Sequence, residues 1–157
     1  MNEDDVLTGV VNFLKYKHRR RDNFVIDHLA SAKEREHGID LKAHAMSGRH
    51  ISNRYYIEAK GTLKAKDNTP KSSQFDTEFR WAISQIILQM GEFSEATVFG
   101  IAVPKTEKAD CLRLMRYNKG LKKLKIRLYL AYRADNGEFF AEELTPKDIY
   151  KKKRGQA

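Results

Sequence analysis

The period of apolar residues changes several times along this chain, and each change marks a predicted element. Val6, Val10, Phe13, Leu14 and Tyr16 recur at roughly helical spacing behind Asp4 and Asp5, acids suited to the positive end of a helix dipole. This predicts a helix that runs out within the His18 to Asp22 segment. FVIDHLA is strand-like through Val25 and Ile26, whereas the following ASAKERE is compatible with helix. Ile39-Asp40-Leu41 and Tyr55 to Ala59 read as two strands joined by polar MSGRHISNR, where Ser47, Gly48 and Asn53 supply turn chemistry. TLKAKDNTPKSSQ, after Gly61, reads as a basic loop. Phe79, Ile83, Ile86, Ile87 and Met90 then share one helix face, with Gly91 placed to stop the helix. ATVFGIAVP, residues 96–104, is nearly all apolar, as expected of a strand buried on both faces. ADCLRLMRY predicts a short helix. In KIRLYLAYR, Ile126, Leu128 and Leu130 alternate with Arg127, Tyr129 and Ala131, a strand pattern. Asp135-Asn136-Gly137 turns the chain into a last strand at Glu138 to Glu142. The order predicts an α/β domain with a central mixed β-sheet flanked by helices.

Length and composition narrow the class. The 157 residues suit one domain, here residues 1–150 with a basic tail at 151–157, and the 41% hydrophobic fraction argues against disorder. No apolar run reaches the roughly 18 to 20 residues that cross a bilayer. The acidic opening MNEDDVLTG does not suit a signal peptide, and a single cysteine, Cys111, allows no internal disulfide. The expectation is a cytoplasmic protein with no membrane partner. Charge adds a partner class: 30 Lys+Arg against 21 Asp+Glu leave a net +9. The excess gathers at Lys15 to Arg21, Lys119 to Arg127 and Lys151 to Arg154. Basic clusters attract polyanions, because neutralising phosphates releases condensed counterions.

Two of the predicted strands carry the candidate chemistry. Alternation points Glu58 and Lys60 one way and Ile57 and Ala59 the other. Asp40 lies between Ile39 and Leu41, so its carboxylate is expected to face away from both. If the two strands pair as a hairpin, the acids meet on one face. Carboxylates brought together repel and shift toward protonation unless a cation intervenes, and a hard divalent ion such as Mg²⁺ takes oxygen ligands of this kind. Lys60 would lie beside it, able to orient or deprotonate a water or to offset charge on a phosphorane. The arrangement suits phosphodiester hydrolysis.

HGID followed after 17 residues by EAK, within EHGIDLKA and RYYIEAKG, resembles the signature of the PD-(D/E)XK nucleases, the restriction-endonuclease-like superfamily. The resemblance extends from about Val6 to Val103. RWAISQIILQM is similar to the helix that follows the EXK strand in many members, where a glutamine often faces the active site; here that is Gln85. ATVFGIAVP falls where the family's next core strand belongs. The resemblance implies a restriction-endonuclease-like core with Mg²⁺ or Mn²⁺ bound by Asp40, Glu58 and the Ala59 carbonyl, and Lys60 as the catalytic lysine. The proline of the family name is replaced by Ile39. Many members add a glutamate from the first helix, for which Glu3 is the best-placed candidate, with Asp4 and Asp5 competing.

The expected activity is that of a metal-dependent endonuclease acting on DNA in restriction, repair or recombination, with RNA left open as the other substrate. Lys64, Lys66 and Lys71, in the loop after the catalytic strand, are candidate backbone contacts, as are Lys119, Lys122 and Lys123. A homodimer would supply two active sites for cutting both strands. The competing expectation is a non-catalytic nucleic-acid-binding module with the same fold. The spacing of His18, His28, His37, His44 and His50 with Cys111 offers no zinc pattern.

Overall fold

The computed structural model describes residues 1–19, 24–30, 38–62, 71–92 and 96–151, apart from the side chains of Lys71, Ser72, Glu92 and Lys119. Helix α1 spans Glu3–Lys17. Asn2 caps it by accepting from the Asp5 N–H, while the Asp5 carboxylate accepts from the Asn2 N–H. Strands β1 (Phe24–Leu29), β2 (Leu41–Ser47) and β3 (His50–Ala59) follow as an antiparallel meander. Helix α2 (Lys71–Gln89) returns the chain so that β4 (Thr97–Pro104) lies parallel to β3. Helices α3 (Lys108–Tyr117) and α4 (Lys119–Lys123) then lead to β5 (Arg127–Arg133), parallel to β4. Strand β6 (Phe139–Leu144) closes the sheet antiparallel to β5, before the short α5 (Pro146–Ile149). The six strands lie in sequence order, giving a mixed sheet with helices on both faces. Among the described residues, no helix is long and apolar enough to cross a membrane.

Each face of the sheet builds a separate core. Val6, Leu7, Val10 and Leu14 of α1 pack against Leu41, Ala43, Tyr55, Ile57 and Tyr129. Phe75, Phe79, Ala82 and Ile86 of α2, with Cys111 and Met115 of α3, pack against Phe99, Ile101, Leu128 and Leu130. Strand β4 is covered on both sides and is buried from Val98 to Pro104, which accounts for its unbroken apolar run. Small residues on the α1 side let the helix approach closely. A Cβ on Gly9 would sit 2.7 Å from the Phe140 carbonyl oxygen, and backbone cannot swing aside as a side chain does. Gly9→Ala is therefore expected to lift α1 from β6 and to cost about 2 kcal/mol, read as a lowered denaturation midpoint; an unchanged midpoint would show that the helix shifts freely.

Several expectations are corrected. MSGRHISNR is not a loop but the hairpin itself, with β2 and β3 continuing to a turn at Gly48–Arg49. Its polar character reflects exposure near the tip rather than absence of pairing. Helix α2 begins at Lys71, so KSSQ is helical rather than the end of a loop. Strand β5 begins at Arg127, because Lys125 adopts a left-handed backbone (φ 53°) that breaks the extended run. The last strand is displaced to Phe139–Leu144. The ASAKERE helix reading, Lys64, Lys66, His37 and the Arg154 end of the tail fall outside the described residues, as do the Lys71 and Lys119 side chains.

Candidate active site

Strand alternation at the end of β3 places Ile57 and Ala59 in the α1-side core and turns Glu58 and Lys60 to the opposite face. Leu41 pairs with Ile57, so the residue preceding β2, Asp40, falls beside Glu58. The chain bends there. Ile39 enters the α2-side core while Leu41 enters the α1-side core, so Ile39-Asp40-Leu41 is not the continuous strand expected. Asp40 is instead held by the main chain of the neighbouring strand: its Oδ2 accepts from the Ala59 N–H at 2.7 Å. The carboxylate thus takes the place of a ladder carbonyl, which locks its position relative to Glu58.

Lys60 Nζ lies 3.0 Å from Glu58 Oε1 and 3.7 Å from Glu3 Oε1. Glu3 reaches the site because the start of α1 is sewn to the segment after β3. The Thr62 N–H donates to the Met1 carbonyl at 2.8 Å. Gly61 permits this approach, since a Cβ there would stand 3.0 Å from the Glu3 nitrogen.

The electrostatics are those of crowded, dehydrated acids. Glu58 is only 4% exposed, and its Oε2 has no hydrogen-bond partner. Burial, followed by the Asp40 charge, pushes the Glu58 carboxyl up to about 7, although Lys60 opposes the shift. Burial also raises Asp40, against the lowering effect of the Ala59 N–H, Lys60 and a side-chain hydrogen bond with Glu58, which in its protonated form donates to Asp40. Burial raises Glu3 too. For Lys60 burial alone would favour the neutral amine, but Glu58, Glu3 and Asp40 together raise it above its ordinary value. Lys60 is therefore an ammonium at neutral pH, suited to stabilising anionic charge and unsuited to taking a proton.

Among the described residues, no three His, Cys, Asp or Glu side chains gather as a metal-binding group. The donors present are the orphaned Glu58 Oε2, the Asp40 carboxylate and one backbone oxygen. The Lys60 N–H donates to the Ala102 carbonyl of β4 at 2.9 Å. The carbonyl of that same trans peptide, Ala59, points the opposite way, toward the Asp40 side. Two carboxylates and a carbonyl, an all-oxygen donor set, fit a hard cation of the Mg²⁺ type better than zinc.

Other expected residues are not tied to this cluster by a hydrogen bond or ion pair among the described residues. Gln85 is half-buried on α2 and makes no hydrogen bond among the described residues. Glu78, two turns earlier on the same helix flank, is the α2 residue whose charge reaches Glu3. Lys122 and Lys123 lie on α4, which leads into β5 two strands from β3; Lys122 lines a cavity of about 710 Å³ with Lys125, Lys147 and Tyr150. Cys111 is fully buried, and burial pushes its thiol up, away from nucleophilic use. His28 was missed as a neighbour of Asp40, on which its charge acts.

Fold and geometry together define a class: an α/β domain with a buried glutamate, a half-buried aspartate and an ammonium at the end of a central strand. Compared with known proteins, the chain matches no family model, no curated protein and no solved structure.

Proposed function

We propose that this protein is a metal-dependent endonuclease of the PD-(D/E)XK type that hydrolyses phosphodiester bonds in DNA. The observation that carries the reading is Glu58: one oxygen is held by Lys60, and the other is buried, has no cationic or N–H donor and lies beside a second carboxylate. A buried acceptor without a donor costs roughly 1–3 kcal/mol, a penalty that a bound cation would remove. A divalent cation held by Asp40, Glu58 and the Ala59 carbonyl would supply Lewis acidity toward the scissile phosphate and acidify a bound water. Asp40 stays aimed because Ala59 N–H grips one of its oxygens. Lys60, kept charged by Glu58 and Glu3, offsets the negative charge that builds on the phosphorane. The proposed core is restriction-endonuclease-like, supported by the succession of the EXK strand β3, helix α2 and parallel strand β4.

Incubation with plasmid, single-stranded and branched DNA, and with RNA, in Mg²⁺ or Mn²⁺ tests the reading. Cleavage is expected, and Asp40→Ala and Lys60→Ala should each lower its rate by roughly 10³-fold. No cut substrate, or undiminished cutting by Asp40→Ala, would overturn it.

A further inference from the structure

The face of the sheet that carries Glu58 continues past the site onto β1 and β2, and there its composition reverses from acidic to basic. Sheet pairing sets this out row by row, because partners across an antiparallel pair share a face. The row next to the carboxylates is His28, Lys42 and Tyr56, and the row beyond it is Val25, His44 and Arg54. His28 belongs here through a β-bulge. Phe24 and Ile26 pack toward the α1 side, and simple alternation would send His28 after them. The register shift between Ile26 and His28 turns it instead to the face of Lys42, and bulges commonly re-aim side chains in this way. Lys42 Nζ stands 5.6 Å over the Tyr56 ring. His44 is bonded to Asp27 at 2.8 Å, the only acid among the described residues of β1 and β2.

Two observations mark this face as a binding surface. It is open: α2 packs over β3 and β4, while Val25 remains 43% exposed and the Asp27 side chain 47%. Its strong cations are also unspent. Lys17 and Arg127 are tied to Glu143, Lys105 and Lys108 to Glu142, and Arg113 to Asp76. Lys42 and Arg54 form no ion pair among the described residues; neither do Lys122, Lys125 and Lys147, but those lie beyond the opposite side of the sheet and not beside Asp40 and Glu58. A polyanion reaching the acidic pair needs positive charge beside it, and these rows supply that charge within one and two residue pairs of Asp40 and Glu58.

We infer that the substrate strand lies across the open face of β1–β3, with its phosphates on Lys42 and Arg54 and its scissile phosphate at Asp40 and Glu58. This placement rests on the nuclease reading for the cleavage step but not for the binding step. The surface differs from the Lys122–Lys123 patch expected from charge runs, which lies across the sheet.

The two steps separate experimentally. Binding of a labelled 20-nucleotide DNA strand and its duplex is measured in EDTA, so that nothing is cut, between about 50 and 200 mM salt. Lys42→Ala and Arg54→Ala should each weaken binding by roughly 5- to 10-fold and reduce the slope of log K against log salt by about one. Lys147→Ala, one charge removed beyond the opposite sheet edge, should change neither. Circular dichroism and thermal melting confirm that each variant is folded; Lys42→Arg and Arg54→Lys, which keep charge, should restore the slope. If Lys147→Ala weakens binding as much as Lys42→Ala, or if neither face variant alters the slope, the surface is assigned wrongly. Cleavage by wild type that Lys42→Ala and Arg54→Ala leave unchanged overturns this placement alone. Face-dependent binding without cleavage in Mg²⁺ or Mn²⁺ overturns the nuclease reading and leaves the surface standing.

Discussion

Glu58→Gln is expected to abolish cleavage and, in the absence of divalent cations, to make the protein harder to unfold at pH 8. Both effects come from the same buried carboxylate. The glutamate titrates near 4.5 when exposed and about 7 in the folded protein, because burial and the Asp40 charge disfavour its ionised form. Below pH 4.5 it is protonated in both states and costs nothing. As pH rises from 4.5 to 7 the unfolded chain releases the proton while the folded one keeps it, so stability falls across that window. Above pH 7 the full cost of about 3 kcal/mol is present, at roughly 1.4 kcal/mol per unit. Glutamine has the same shape without the charge and escapes that cost. The variant should therefore be more stable than wild type by about 3 kcal/mol at pH 8 and equal to it near pH 4. Chemical denaturation in EDTA at the two pH values measures the difference. An equal gap at both would mean that ionisation of Glu58 is not what strains the site. Stability surrendered at a functional centre is a common trade in enzymes.

A change in stability of comparable size and opposite sign is expected at Glu143, far from the site. Its carboxylate is 11% exposed and accepts from Lys17 at 2.6 Å, Arg127 at 2.7 Å and the Tyr129 hydroxyl at 3.1 Å. It thereby ties the end of α1 to β5 and β6. Burial alone would raise Glu143, but Lys17 and Arg127 hold it below its ordinary value. Its contribution is consequently present above about pH 4.5 and is lost as pH falls through the lower folded value. Glu143→Ala strands a half-buried guanidinium and a fully buried hydroxyl, a change that costs about 3–4 kcal/mol. At roughly 2–4 °C per kcal/mol the melting temperature should drop by about 10 °C at pH 7. A drop under about 3 °C would show that Arg127 and Tyr129 find other partners. Cleavage by the folded fraction should be unchanged, in contrast to Glu58→Gln.

Much of this architecture is written in local patterns. The apolar stripe of α1, the acids before it, the all-apolar β4 and the alternation of β5 each follow from burial on one face or two, a property read residue by residue. The relation of Glu58 to Lys60 is local as well, since two residues on one strand share a face however the strand is paired. The hairpin was harder to see, because β2 and β3 near Gly48 are polar where no helix covers them, and polarity alone resembles a loop.

What the tertiary structure decided is the set of relations that cross strands. Asp40 meets Glu58 through the pairing of Leu41 with Ile57 and a bend that sends Ile39 and Leu41 into different cores. Glu3 reaches Lys60 because α1 starts beside the end of β3, and the charge of Glu78 on α2 acts on Glu3. His28 faces the site only through a bulge that no periodicity announces. Side-chain direction along one strand is set by its own backbone. Which side chains become neighbours is set by register and helix docking, and those depend on residues far apart in the chain. The sequence by itself determined the α/β class and the Glu58–Lys60 pair; the register determined that a half-buried Asp40 completes a carboxylate pair with the buried Glu58.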